Sequence, residues 1–107
     1  MEEKRLPLSE NIEHRKIIES KAQLLKALSN PIRLCLMEQL VENGEMNVSE
    51  IMDCMGTTQS GLSQHLAKLR DMGLVESRKS GNQVFYTCEN EELCDLIKYI
   101  LVETESL

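Results

Sequence analysis

Between Thr57 and Tyr86 the chain reads TTQSGLSQHLAKLRDMGLVESRKSGNQVFY, a helical period that gives way within a few residues to strand alternation. Leu62, Leu66 and Leu69 stand four and three positions apart, on one face of a helix. Ser60, Gly61, Gln64, His65 and Lys68 fall on the opposite face, which carries almost no acid. A helix that only needs solvation usually carries Glu–Lys pairs. Short polar side chains with a cation alongside suit a helix that reads the edges of bases. Beyond it, Leu74–Lys79 and Val84–Cys88 alternate as strands, and Ser80-Gly81-Asn82-Gln83 supplies the turn.

The rest of the chain fits around this unit. Residues 1–8 read as a flexible N-terminus, and residues 9–107 as one DNA-binding and dimerisation domain. Ser9 suits the cap of a first helix reaching about Leu28, with Ile12, Ile17, Ile18, Ala22, Leu25 and Leu28 as its apolar stripe. Pro31 starts a second helix, capped by Ser29 or Asn30 and running to about Glu42. Its two stripes, Ile32/Cys35/Leu36/Leu40 and Leu34/Met37/Val41, predict burial on two sides. Met46–Val48 leaves room for only a minimal strand. Ser49 then caps a short helix, Glu50 to Met55, which Gly56 ends. A short helix, a tight turn capped by Thr57 or Thr58, and a longer helix with a polar outer face make a helix-turn-helix. With the hairpin as wing, the predicted fold is a mainly α winged helix-turn-helix of five helices and a two-stranded wing. The last helix runs from Glu91, capped by Asn90, to about Val102. The first and last helices carry more apolar surface than one small core needs, which predicts a two-fold dimer through them; the alternative is that both stripes pack within one chain.

The net charge of −6 argues against a nucleic-acid binder only if it is spread evenly. Residues 57–83 hold Lys68, Arg70, Arg78 and Lys79 against Asp71 and Glu76, a local balance of +2 that leaves −8 for the remainder. Exposed charges act over roughly 8 Å at physiological salt, so an acidic body with a basic face can still meet a phosphate backbone. The charged start, MEEKRLPLSE, has no apolar core segment, and no apolar run spans a bilayer, so a cytoplasmic protein is expected. No Cys-x-x-Cys joins Cys35, Cys54, Cys88 and Cys94, which read as reduced thiols or ligands.

The reading face comprises Gln59, Ser60, Ser63, Gln64, His65 and Lys68. Thr57 and Thr58 sit where helix-terminal N–H groups could meet a phosphate. In the wing, Arg78 and Lys79 would approach phosphates, with Asn82 and Gln83 at its tip; charge on an edge strand also deters aggregation. Cys88 and Cys94 lie six positions apart across a strand-to-helix junction. Two such thiolates, with a third donor, would hold a soft metal or metalloid such as arsenite, antimonite or cadmium. They could instead link on oxidation, or be two small buried apolar side chains. Cys54, in the short helix with Met52 and Met55, reads as core or as a bystander.

The segments LLKALSNPIRLCLMEQL, NVSEI and QSGLSQHLAKLRDMGLVESRKSGNQVFY, in this order, resemble the ArsR/SmtB family of bacterial winged-helix repressors. The resemblance covers about residues 21–101. It implies a homodimer that binds double-stranded operator DNA and releases it when an inducer binds, commonly a metal ion and in some members an oxidant or reactive sulfur. The family's Cys-Val-Cys signature falls at Asn47-Val48-Ser49, and its last-helix ligands fall at Asn90, Glu92, Glu103 and Ser106, so neither standard metal site is present. The sulfur-sensing members join a cysteine of the second helix to one of the last, which here would pair Cys35 with Cys94 or Cys88. No cofactor is required for folding, and no membrane partner is expected. A regulator without ligand and an acidic winged-helix module for protein partners are the alternatives. A thiol enzyme finds no support in a reactive-cysteine motif or Gly-rich loop.

Overall fold

The computed structural model describes residues 10–102. Helix α1 spans Ile12–Leu28 and α2 spans Pro31–Asn43. Strand β1, Met46–Asn47, leads directly into α3, Val48–Met55, and α4 spans Gln59–Asp71. Strands β2, Glu76–Ser80, and β3, Gln83–Thr87, form the wing, and α5 covers Glu91–Ile97. The fold is a winged helix-turn-helix. No helix among the described residues is long and apolar enough to cross a membrane.

Caps decide where the helices begin. Asn11 caps α1 by accepting the His14 N–H at 2.9 Å. Ser9, the cap expected from the sequence, lies outside the described residues, as do residues 1–8, Glu103 and Ser106. Asn30 accepts from Ile32 and Arg33 at the start of α2, where Pro31 has no N–H to leave unsatisfied. Helix α3 begins at Val48 rather than Glu50, because Asn47 replaces Ser49 as cap. Asn47 accepts from the Glu50 N–H at 2.8 Å, and the Glu50 carboxylate accepts the Asn47 N–H at 2.9 Å. Gly56 ends α3 at φ 63°, a left-handed geometry that a side chain would strain.

The core gathers on α2. Leu36, Met37 and Leu40 are buried with Ile51 of α3, Leu62, Leu66 and Leu69 of α4, and Leu93 and Ile97 of α5. These are the apolar positions that helical spacing picks out. Ile32, placed on the same stripe by the sequence, is exposed because it sits in the first turn of α2. Cys54, read as core or as a bystander, is exposed as well, which excludes the core.

Two features correct the predicted architecture. Among the described residues the sheet has three strands in the order β1-β3-β2, since Met46 and Asn47 pair antiparallel with Tyr86 and Phe85. The wing is thus sewn to the start of α3, a long-range pairing with no local signal. The last helix also does not continue as α to Val102; Lys98–Val102 forms a π-helical turn. A π turn shifts the side-chain register, and Tyr99 and Ile100 project outward.

Candidate nucleic-acid interface

Helix α4 has one buried and one open face. Leu62, Leu66 and Leu69 pack inward, while Gln59, Ser60, Ser63, Gln64 and Lys68 are exposed. Thr58 caps the helix, its Oγ1 accepting the Gly61 N–H at 3.3 Å. A Cβ at Gly61 would come within 3.3 Å of that same oxygen, which accounts for a small residue there. Thr57 is half-buried beside it.

His65, which the sequence placed on the reading face, is less open than its polar neighbours there. It is half-buried, and its Nδ1 lies 3.4 Å from Nη1 of Arg33. Arg33 also donates from Nε to the Ala27 carbonyl at 2.6 Å. A guanidinium thus braces the back of α4 against the α1–α2 corner. Sequence reasoning missed Arg33; the available signal was a cation set among the apolar stripes of α2.

The wing is a two-residue hairpin, with Ser80 opposite Gln83 and Gly81 at φ 63° in the first turn position. Glycine there allows a turn whose twist matches the strands. The hairpin does not present Arg78 as an open cation. Arg78 Nε and Nη2 donate to the two Glu45 carboxylate oxygens at 2.6 and 2.7 Å, and the guanidinium lies 5.2 Å above the Phe85 ring. That pairing holds the Glu45 carboxyl below its ordinary range and the guanidinium above its own. Counting Glu45, the basic face loses one unit of the charge its sequence suggested. Lys79, by contrast, is exposed and makes no ion pair among the described residues.

The wing tip meets the start of α3, with Gln59 of α4 close by. Asn47 donates from Nδ2 to Gln83 Oε1 at 2.8 Å. Asn47, Ser49, Gln59, Asn82 and Gln83 line a polar cleft of about 410 Å³. The cleft is open, and its amide and hydroxyl groups share the wall with Val48 and Val84.

The sulfur atoms that meet are those of Cys88 and Cys94, 3.2 Å apart. Cys94 Sγ also reaches the Cys88 carbonyl at 3.5 Å. Burial, and then the shared hydrogen with Cys94, push the Cys88 thiol up to about 12. Cys35 has a different neighbourhood. Its thiol is raised by burial first, then by Glu38 and by Cys54. The sulfur in contact with Cys94 is that of Cys88.

A family model described as "Bacterial regulatory protein, arsR family" matches residues 30–77. The chain is 43% identical over 76 residues to the biofilm growth-associated repressor of Xylella fastidiosa, covering 71% of this chain and 66% of that protein. It is also 43% identical over 77 residues to the transcriptional activator HlyU of Vibrio cholerae, covering 72% of this chain and 70% of the relative. The fold is similar to the homodimeric winged helix-turn-helix DNA-binding domain Mb0332 of Mycobacterium bovis, with a TM-score of 0.75 and 28% identity, over 86% of this chain and 84% of that one.

Proposed function

The chain belongs to the arsR family of bacterial regulatory proteins, and on that premise we propose that it is a homodimeric, sequence-specific repressor of operator DNA in the cytoplasm, released by an inducer acting at its cysteines. The observation that carries this reading is the open polar face of α4 beside the wing-tip cleft, backed by a fully buried leucine row. Gln59, Ser60, Ser63 and Gln64 offer donors and acceptors that complement base edges in a major groove. Lys68 and Lys79 supply phosphate neutralisation, and Thr57 and Thr58 lie at the helix N-terminus, where N–H groups favour an anion. Asn82 and Gln83 reach the adjoining backbone from the wing. Arg78 acts within the wing, with its charge held by Glu45, and His65 sets the seat of α4 through Arg33.

A second copy fits the apolar surface left open on α1 and the terminal turn. Ile12, Ile17, Ile18 and Leu25 of α1 are exposed, as are Tyr99 and Ile100. Between α1 and α5, Leu24, Leu25, Leu93 and Leu96 line an apolar groove of about 240 Å³. Lys21 and Glu92 bridge its two walls at 3.0 Å. Solitary exposed apolar side chains are ordinary, but several on one helix beside an apolar groove call for a partner. A two-fold axis there sets two α4 helices to read half-sites about one DNA turn apart, ~34 Å.

Gln64→Ala tests the reading face. It should relax preference at one base step, at a cost of ~1–3 kcal/mol, while leaving non-specific binding nearly as before. Competition binding against single-base operator variants measures this. Unchanged preference would remove Gln64 from the base-reading set. Glu45→Gln tests the wing. Freeing Arg78 should raise affinity for all duplexes and steepen the logarithmic salt slope by about 0.9, the increment for one further phosphate contact. The same clamp has a pH signature. Because the carboxyl is held low, the pair is whole at neutral pH and dissolves only as pH falls through that lowered value. If salt titrations of wild type and Glu45→Gln superimpose, Arg78 does not reach a phosphate even when its carboxylate partner is removed, and Lys79 alone is left as the wing's phosphate contact.

A further inference from the structure

The geometry points to Cys88 and Cys94 as an oxidative modification site, a vicinal dithiol that a hydroperoxide closes into a disulfide and that thereby loosens the grip on operator DNA. The inference deepens the regulatory reading above and rests on it for the consequence at DNA, though not for the chemistry. Its ground is the 3.2 Å approach of the two sulfurs in the reduced chain. A disulfide needs about 2.05 Å, so roughly one ångström of closure suffices, across a junction only six residues long. Both side chains are half-buried, open enough for a small oxidant. Among the described residues no group of three or more His, Cys, Asp or Glu side chains converges to hold a metal ion. A two-sulfur site is thus better matched to two-electron oxidation than to metal capture.

The reaction balances with one equivalent of hydroperoxide. The Cys94 sulfur takes an oxygen from hydrogen peroxide, the O–O bond breaks, and the thiol proton leaves with the second oxygen as water, giving a sulfenic acid. Cys88 retains its proton, consistent with its raised value, and its sulfur displaces the new hydroxyl. The Cys88 proton departs with that oxygen as water. One S–S bond has formed, and two electrons have passed from the sulfur pair to the peroxide.

The location gives the step its consequence. Cys88 follows directly on Thr87, the last residue of β3, and Cys94 sits in α5 beside the buried Leu93. Strand β3 is central in the sheet, paired to β2 on one side and β1 on the other. Drawing its end toward α5 shifts the whole wing, and through Asn47 it shifts the start of α3. The wing tip and α4 would then meet the duplex in altered register.

The test uses the full chain and an operator selected from random duplex DNA by the reduced protein. Residues 80–98 form a single tryptic peptide bounded by Lys79 and Lys98 and holding both thiols. Hydrogen peroxide should lower the mass of that peptide by two hydrogens, and dithiothreitol should restore it. Operator affinity should fall at least about fivefold on closure and return on reduction. A Cys35→Ser/Cys54→Ser variant should keep the response, and a Cys88→Ser/Cys94→Ser variant should bind like reduced wild type and ignore peroxide. The inference is overturned if the peptide stays open under peroxide, if closure leaves affinity unchanged or tighter, or if the Cys88→Ser/Cys94→Ser variant still releases DNA. A reduced wild type that selects no operator would instead sink the regulatory reading, while peptide closure would still report on the dithiol chemistry.

Discussion

Exchanging Leu36 for alanine should remove ~2–5 kcal/mol of folding stability, against a total of about 5–15 kcal/mol for a domain of this kind. Leu36 is fully buried at the middle of α2, and α2 is the helix against which α1, α3, α4 and α5 all pack. Truncation there leaves a cavity that no single neighbour can fill without dragging its own helix. Urea unfolding at one fixed protein concentration measures the change, since dimerisation makes apparent stability depend on concentration. A loss below ~1 kcal/mol would mean that the helices collapse onto the void, and that α2 is not the rigid centre described above.

Placing charge on α1 should act on assembly rather than folding. In an Ile18→Glu/Leu25→Glu variant the altered positions are 44% and 55% exposed, so helical content should be retained. Two carboxylates buried in an apolar interface without partners are heavily penalised, and the dimer should come apart. Sedimentation should fall from about twice the 12.2 kDa chain mass to one chain mass at micromolar concentration. Operator affinity should drop toward the non-specific level, a loss of at least ~10³-fold, because one α4 helix reads only half a site. A variant that remains dimeric would move the interface away from α1.

Much of this molecule is written in short-range patterns. The Leu62/Leu66/Leu69 period, Pro31 after Asn30, and Gly81-Asn82 between alternating strands each carry their structure within a few residues. Even the missed start of α3 was local. Asn47 and Glu50 stand at capping-box spacing, and their reciprocal bonds outcompete the single hydroxyl of Ser49. Cys88 and Cys94 could be paired in advance because six residues of strand and turn give them few other places to go. What escaped the sequence is what the fold brings from afar. Glu45 and Arg78 are 33 positions apart, Arg33 and His65 are 32 apart, and β1 finds β3 across the whole helix-turn-helix. Each adds a partner that the sequence did not announce: Arg78 is half of an ion pair, and His65 lies against Arg33. Pairings of this kind depend on packing geometry, which composition and periodicity do not encode.

The Glu45–Arg78 clamp also bears on how such a regulator would find its site. A genome presents millions of competing stretches of duplex, and every unpaired cation lengthens the time spent on each of them. A wing that carries its own counter-ion would leave wrong sequences quickly, and the base-reading row proposed for α4 would be left to decide where the protein stops. Restraint in the wing thus becomes speed in the search.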